Sequence, residues 1–146
     1  MGLTEISLDE VYPVGDGLDD EQLIVRMGIA IHEAGPARVV ASMPVEGNRQ
    51  PMGILHGGAN AVLAETVGSI AARLHAGLDG TAVGLVLTCT HVRAAMDGRV
   101  TAVAEAVQLG DGNASYSISI TDVHGRLTCT AHLTAAIRRR RRRRRS

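Results

Sequence analysis

Leu55-His56-Gly57-Gly58-Ala59-Asn60-Ala61-Val62-Leu63-Ala64-Glu65-Thr66-Val67-Gly68-Ser69-Ile70-Ala71-Ala72-Arg73-Leu74-His75 is the stretch that decides the fold. Ala, Leu, Glu and Val fill it with few helix breakers. Leu63, Val67, Ile70 and Leu74 recur at helical spacing and lay an apolar stripe along one face. Gly57 and Gly58 stand at the start, where backbone N–H groups have no partner inside the helix. Gly68 interrupts the middle at a cost of about 1 kcal/mol against Ala, which implies close packing against another backbone.

Beyond Gly77–Gly80 the apolar period changes to two. Strands are expected at Thr81–Val92, Arg99–Gln108, Asn113–Thr121 and Leu127–Ile137. The first is largely apolar and reads as a central strand. In the third, Ala114, Tyr116, Ile118 and Ile120 alternate with small polar residues; in the fourth, Leu127 to Ile137 present every second side chain to one face. Short links make these four strands antiparallel neighbours. Upstream, strands are expected at Leu23–His32 and Ala37–Pro44, with Gly47–Pro51 as a loop. Ser7 can cap a short helix, and Pro13–Asp20 reads as turn. The class is α+β: a curved antiparallel sheet wrapped around one long helix. The domain spans residues 22–137, after an N-terminal segment 1–21 and before an oligo-arginine tail, 138–146, expected to be disordered.

All 15 basic residues among the 146 are arginines, and eight form the run Arg138–Arg145. The other seven face 15 acids, so residues 1–137 carry a formal charge of −8. An acidic body with a basic tail raises a second reading, a module that binds nucleic acid through the run. No aromatics are interleaved with it to stack bases. Phe and Trp are absent and Tyr occurs twice, so the core must be built from Ala, Val, Ile and Leu. Cys89 and Cys129 set no disulfide framework, and neither a leader nor a membrane span is evident; a cytoplasmic protein is expected. No metal set emerges from the cysteines and histidines. His32, His75, His124 and His132 read as incidental, and Arg99 as an ordinary charge at a strand start.

The chemistry concentrates around the helix start. Gly57 and Gly58 can offer amide N–H groups to a carbonyl that is becoming an oxyanion. Glu65 lies in a mainly apolar stretch, where a carboxylate is unusual unless exposed or paired. Ser69 and Arg73 follow it along the same face. Gly57 and Glu65 are eight residues apart, about 12 Å along a helix. A single carboxylate cannot act on a carbonyl held by the first amides of its own helix, because reacting atoms must approach to about 3–3.5 Å. If both act on one carbonyl, Glu65 comes from a second subunit, and the enzyme is a dimer with two shared sites.

The stretch Pro51–Ala72, with Thr90-His91-Val92-Arg93 and Gly125-Arg126-Leu127 to Ile137, resembles the hotdog-fold acyl-CoA thioesterases. It is most similar to the Arthrobacter-type 4-hydroxybenzoyl-CoA branch, which also holds thioesterases for 1,4-dihydroxy-2-naphthoyl-CoA of menaquinone synthesis. The resemblance implies that Gly57 N–H polarises the thioester carbonyl, that His56 helps build the pocket and that Gln50 holds substrate or water. It implies that Glu65 of the partner subunit is nucleophile or general base, with Ser69 assisting. Gly58, Thr90, His91 and Arg93 then fall on the side of substrate and coenzyme A. The phenylacetyl-CoA branch carries Asp where this chain has Glu65. No cofactor is implied, since coenzyme A is part of the substrate, and a tetramer of two dimers is expected. The alternatives are another hotdog enzyme acting on acyl carrier protein, a dehydratase using His56, or an acyl-CoA-binding module.

Overall fold

In the computed structural model, residues 4–11 and 20–140 are described. The expected turn at Pro13–Asp20 lies outside them except for its last residue. The elements are α1 (Leu8–Val11), α2 (Leu23–Arg26), β1 (Ala30–Ala34), β2 (Arg38–Pro44), α3 (Gly57–Ala76), β3 (Gly80–His91), β4 (Arg99–Leu109), β5 (Asn113–Thr121) and β6 (Leu127–Arg139). The strands form one antiparallel sheet in the order β1-β2-β4-β5-β6-β3. α3 packs against β2, β3, β4, β5 and β6. This is the hotdog arrangement.

Leu63, Val67 and Ile70 of α3 are buried against Ala102, Ala104, Ile118, Ile120, Leu133 and Ala135. Tyr116 is fully buried, and its hydroxyl donates to Pro36 O at 2.9 Å. Burial pushes its phenol up to about 12. Alanine-rich facing surfaces let helix and sheet approach closely. At Gly68 the neighbour is the Leu133 side chain, not another backbone as the sequence suggested. A methyl group there would collide with Leu133 Cδ2 and lie 3.2 Å from its Cβ. Gly68→Ala is therefore expected to destabilise the fold by about 1–3 kcal/mol through overpacking, despite the gain in helix propensity. Chemical denaturation checks this, and a stabilised variant would contradict it.

Three expectations change. The strand expected at Leu23–His32 is a single helical turn, α2, followed by β1 from Ala30. Gly28, at φ 70°, provides the left-handed residue that separates them. β3 is an edge strand, not a central one, because it pairs only with β6. Its register shifts between Gly84 and Val86, so the extra residue changes which side chains face inward. Val83, Leu85 and Val86 are left exposed, while Leu87 and Cys89 pack on the core. An apolar run reads as buried on both faces; here one face and one edge are open in the protomer.

β6 also continues two residues into the arginine run. Arg138 pairs with Thr81 and Arg139 with Gly80. The Arg139 guanidinium donates to His75 O, Ala76 O and Asp111 Oδ1. A cation there satisfies carbonyls that the end of α3 leaves free and suits the negative pole of its dipole. The remainder of the tail, 141–146, lies outside the described residues.

Candidate active site

The loop before α3 is held in place by its own backbone. Gln50 N–H donates to Ile54 O, Gly53 N–H to Gln50 O, Leu55 N–H to Ala95 O and His56 N–H to Asn48 O. Gln50 Oε1 accepts from Met52 N–H. The carboxamide oxygen is thus committed within the loop, and its NH₂ remains as donor.

His56 is the N-cap of α3, and its Nδ1 accepts from Gly58 N–H at 2.8 Å. An accepting Nδ1 carries no proton, so the neutral ring keeps its proton on Nε2. Sequence reasoning left both glycine amides open; the cap occupies one of them. Gly58 N–H serves His56, whereas Gly57 N–H has no partner among the described residues. Gly58 is required because a Cβ would sit 2.9 Å from His56 Nδ1. Gly58→Ala is expected to displace the ring, cost about 0.5–2 kcal/mol of cap stability and lower turnover. Thermal melts paired with kinetics check this.

Gly57 lines a cavity of about 380 Å³ together with Gln50, Leu55, Asn60, His91 and Arg93. His91, at the end of β3, lies over Gly57; a Cβ on that glycine would be 3.4 Å from His91 Cε1 and Nε2. Asn60 is 5% exposed, with Nδ2 at 3.4 Å from His91 Nδ1 and Oδ1 buried without a partner. The sequence pattern assigns Asn60 no role. Its signal was position, one turn after Gly57 and so beside it. Arg93 is exposed and has no carboxylate partner among the described residues.

Five predicted residues fall outside this cavity: His56 and Gly58 line a separate one with Met27, Asn48 and Val62, and Thr90, Glu65 and Ser69 line neither. Thr90 is exposed and does not line the cavity; strand alternation turns it away from the face that His91 presents. Glu65 lies farther along α3, outside this cavity. It is half-buried, accepts from Ser69 Oγ at 3.2 Å and packs against Gly84 of the edge strand, where any Cβ would strike its Oε1. The expected Glu65–Ser69–Arg73 stripe is only half made. Arg73 Nη1 donates to Gly77 O at 2.7 Å, and Glu65 has no cationic partner among the described residues. Its charge reaches the Cys89 thiol, which is pushed up by burial first and by Glu65 as well. Cys129, behind Cys89, is pushed by burial to about 11. Neither cysteine has the character of a nucleophile. Among the described residues, no group of three His, Cys, Asp or Glu side chains is placed to hold a metal ion.

Among the described residues, the protomer therefore has a free amide at Gly57, beside a cavity, and at Glu65 a carboxylate with no cationic partner, beside an open sheet edge. The two groups are held apart along α3. The thioesterase superfamily model matches residues 52–129, which include Gly57, Glu65, Ser69, His91 and Arg93. The chain is 37% identical to the 1,4-dihydroxy-2-naphthoyl-CoA hydrolase of Escherichia coli, over 91% of this chain and 96% of that one. It superposes on a thioesterase from Haemophilus influenzae with TM-score 0.82 and 30% identity, covering 98% of each chain. A thioesterase variant from Pseudomonas aeruginosa gives TM-score 0.79 at 33% identity, covering 92% of this chain and 96% of that one. The chain belongs to the thioesterase superfamily and is an acyl-CoA thioesterase with the hotdog fold.

Proposed function

We propose that this enzyme hydrolyses an aromatic acyl-CoA, of the 1,4-dihydroxy-2-naphthoyl class, at sites shared between two subunits. The observation that carries the reading is the separation of the free Gly57 amide from Glu65 on one helix. In the proposed dimer, two β3 edges meet about a twofold axis and cover the exposed Val83, Leu85 and Val86. Two α3 helices then lie side by side, and Glu65 of the partner subunit reaches the carbonyl held at Gly57.

The thioester oxygen accepts from Gly57 N–H and the Gln50 NH₂. Either water attacks the carbonyl carbon while Glu65 of the partner subunit takes its proton, or that carboxylate attacks first and water cleaves the resulting anhydride. In both routes the C–S bond breaks and the thiolate departs. Thiols ionise near 8.5, so the leaving group needs no metal and no resident cofactor. Ser69 orients Glu65 through its hydroxyl. His56 sets the Gly57 amide by capping, and His91 closes the cavity over it. Arg93, on the cavity rim, is assigned to a phosphate of coenzyme A.

The acyl assignment rests on the E. coli relative's substrate and on its coverage of 91% of this chain. Dimers pairing into tetramers follow from the family resemblance. No helix among the described residues is long and apolar enough to cross a membrane. The arginine run has no part in the chemistry; its removal after Arg139 is expected to leave hydrolysis intact. The experiment is a panel of purified benzoyl-, 1,4-dihydroxy-2-naphthoyl- and octanoyl-CoA. The reading expects kcat/KM highest for the aromatic thioesters. A preference for octanoyl-CoA would overturn the acyl assignment, and enoyl product from a 3-hydroxyacyl thioester would favour a dehydratase.

A further inference from the structure

Another cavity lies elsewhere, between the N-terminal arm, α2, β1, β2 and the start of β4. It measures about 470 Å³ and shares no lining residue with the cavity at Gly57. Ile6, Leu8, Ile24, Ile29 and Ile31 give it an apolar wall, and three polar side chains converge on it: His32, Ser42 and Arg99.

Their hydrogen bonds have only one consistent direction for a neutral His32. Arg99 Nε donates to Ser42 Oγ at 3.0 Å, so that oxygen is an acceptor. Thr4 O, 3.1 Å from His32 Nδ1, can only accept, so Nδ1 holds the imidazole proton. His32 Nε2 is then a lone pair, and Ser42 O–H donates to it at 2.7 Å. The chain runs from Arg99 to Ser42 to His32 to Thr4, and it uses every donor except those left on the guanidinium. Arg99 Nη2 donates to Gly28 O at 3.0 Å and Ser42 O at 3.2 Å. Nη1 has no partner, and no carboxylate lies within ion-pair distance of Arg99, among the described residues. The charge is thus oriented by neutral acceptors, with donor capacity left over.

We propose that this cavity is a second ligand site, which takes a monocarboxylate with an apolar body. The guanidinium supplies the charge-assisted donors that a carboxylate accepts. The isoleucine wall takes the body, and the volume falls in the usual range for small-ligand pockets. Glu5, also on the wall, disfavours polyanions, so the phosphates of coenzyme A are poor ligands here. Arg99, an ordinary strand-start charge by sequence, is the anchor of the site.

Calorimetric titration of the full chain with sodium octanoate tests this, with 1-octanol and coenzyme A as comparison ligands. Saturable binding of octanoate at one per chain is expected, undisturbed by saturating coenzyme A. Octanol is expected to bind at least roughly tenfold more weakly, from loss of the charged hydrogen bonds. Arg99→Gln should weaken octanoate by a similar factor. Val25→Trp adds bulk at an exposed wall position that takes no part in the polar chain; it should remove octanoate binding and leave acyl-CoA hydrolysis unchanged. Equal affinities for octanoate and octanol would overturn the proposal. So would displacement by coenzyme A, unaltered binding in Val25→Trp, or no saturable binding.

Discussion

Glu65→Gln is expected to lower kcat by roughly 10²–10⁴-fold, the usual contribution of a positioned general base. The substitution keeps the shape of the side chain and an oxygen for the Ser69 hydroxyl, 3.2 Å away in the native site. It also leaves Gly84 uncrowded, since the amide is isosteric with the carboxylate that packs there. No cationic partner is lost, because Glu65 has none among the described residues. Thermal stability and sedimentation should accordingly match the parent while steady-state hydrolysis collapses. Undiminished turnover would remove Glu65 from the mechanism.

Gln50→Ala is expected to cost about 10²–10³-fold in kcat, the effect of removing one oxyanion donor. The direction of the amide sets this effect. Its oxygen is held by Met52 N–H, so only the NH₂ can meet a carbonyl in the cavity that Gly57 also lines. Steady-state kinetics separate two roles: a raised KM with unchanged kcat would make Gln50 a ground-state contact. Neither Gln50 nor Glu65 anchors the core, so both variants should fold.

Much of the fold was legible because one helix and four alternating strands carry unambiguous periods. The inward rows of β5 and β6, Ala114 to Ile120 and Cys129 to Ile137, are buried as the pattern requires, whereas Leu127, expected at the head of the second row, is exposed. Two features escaped for physical reasons. Leu23–Arg26 is as apolar as a strand, and only Gly28 signals that the chain turns there. β3 is apolar on both faces for a reason local periodicity cannot express: its outer edge and exposed side chains stay open in a protomer. The N-terminal stop of α3 was readable from His56-Gly57-Gly58, yet the division of labour between the two amides was not. It depends on the imidazole turning back onto Gly58. Asn60 and the His32–Ser42–Arg99 chain are contacts across strands and helix, which no spacing along one element reveals.

The central claim is that each site takes Gly57 and Gln50 from one subunit and Glu65 from the other. Co-expressing Glu65→Gln with Gln50→Ala under distinguishable tags, and assaying the purified mixed dimer, tests it directly. In a mixed dimer, one site combines native Gln50 with the native Glu65 of the partner subunit, and the other carries both substitutions. Shared sites predict hydrolysis at about half the parental rate per dimer, from two variants that are each nearly inactive alone. Activity no higher than the mean of the two variants would place both groups of a site in one subunit and contradict the account.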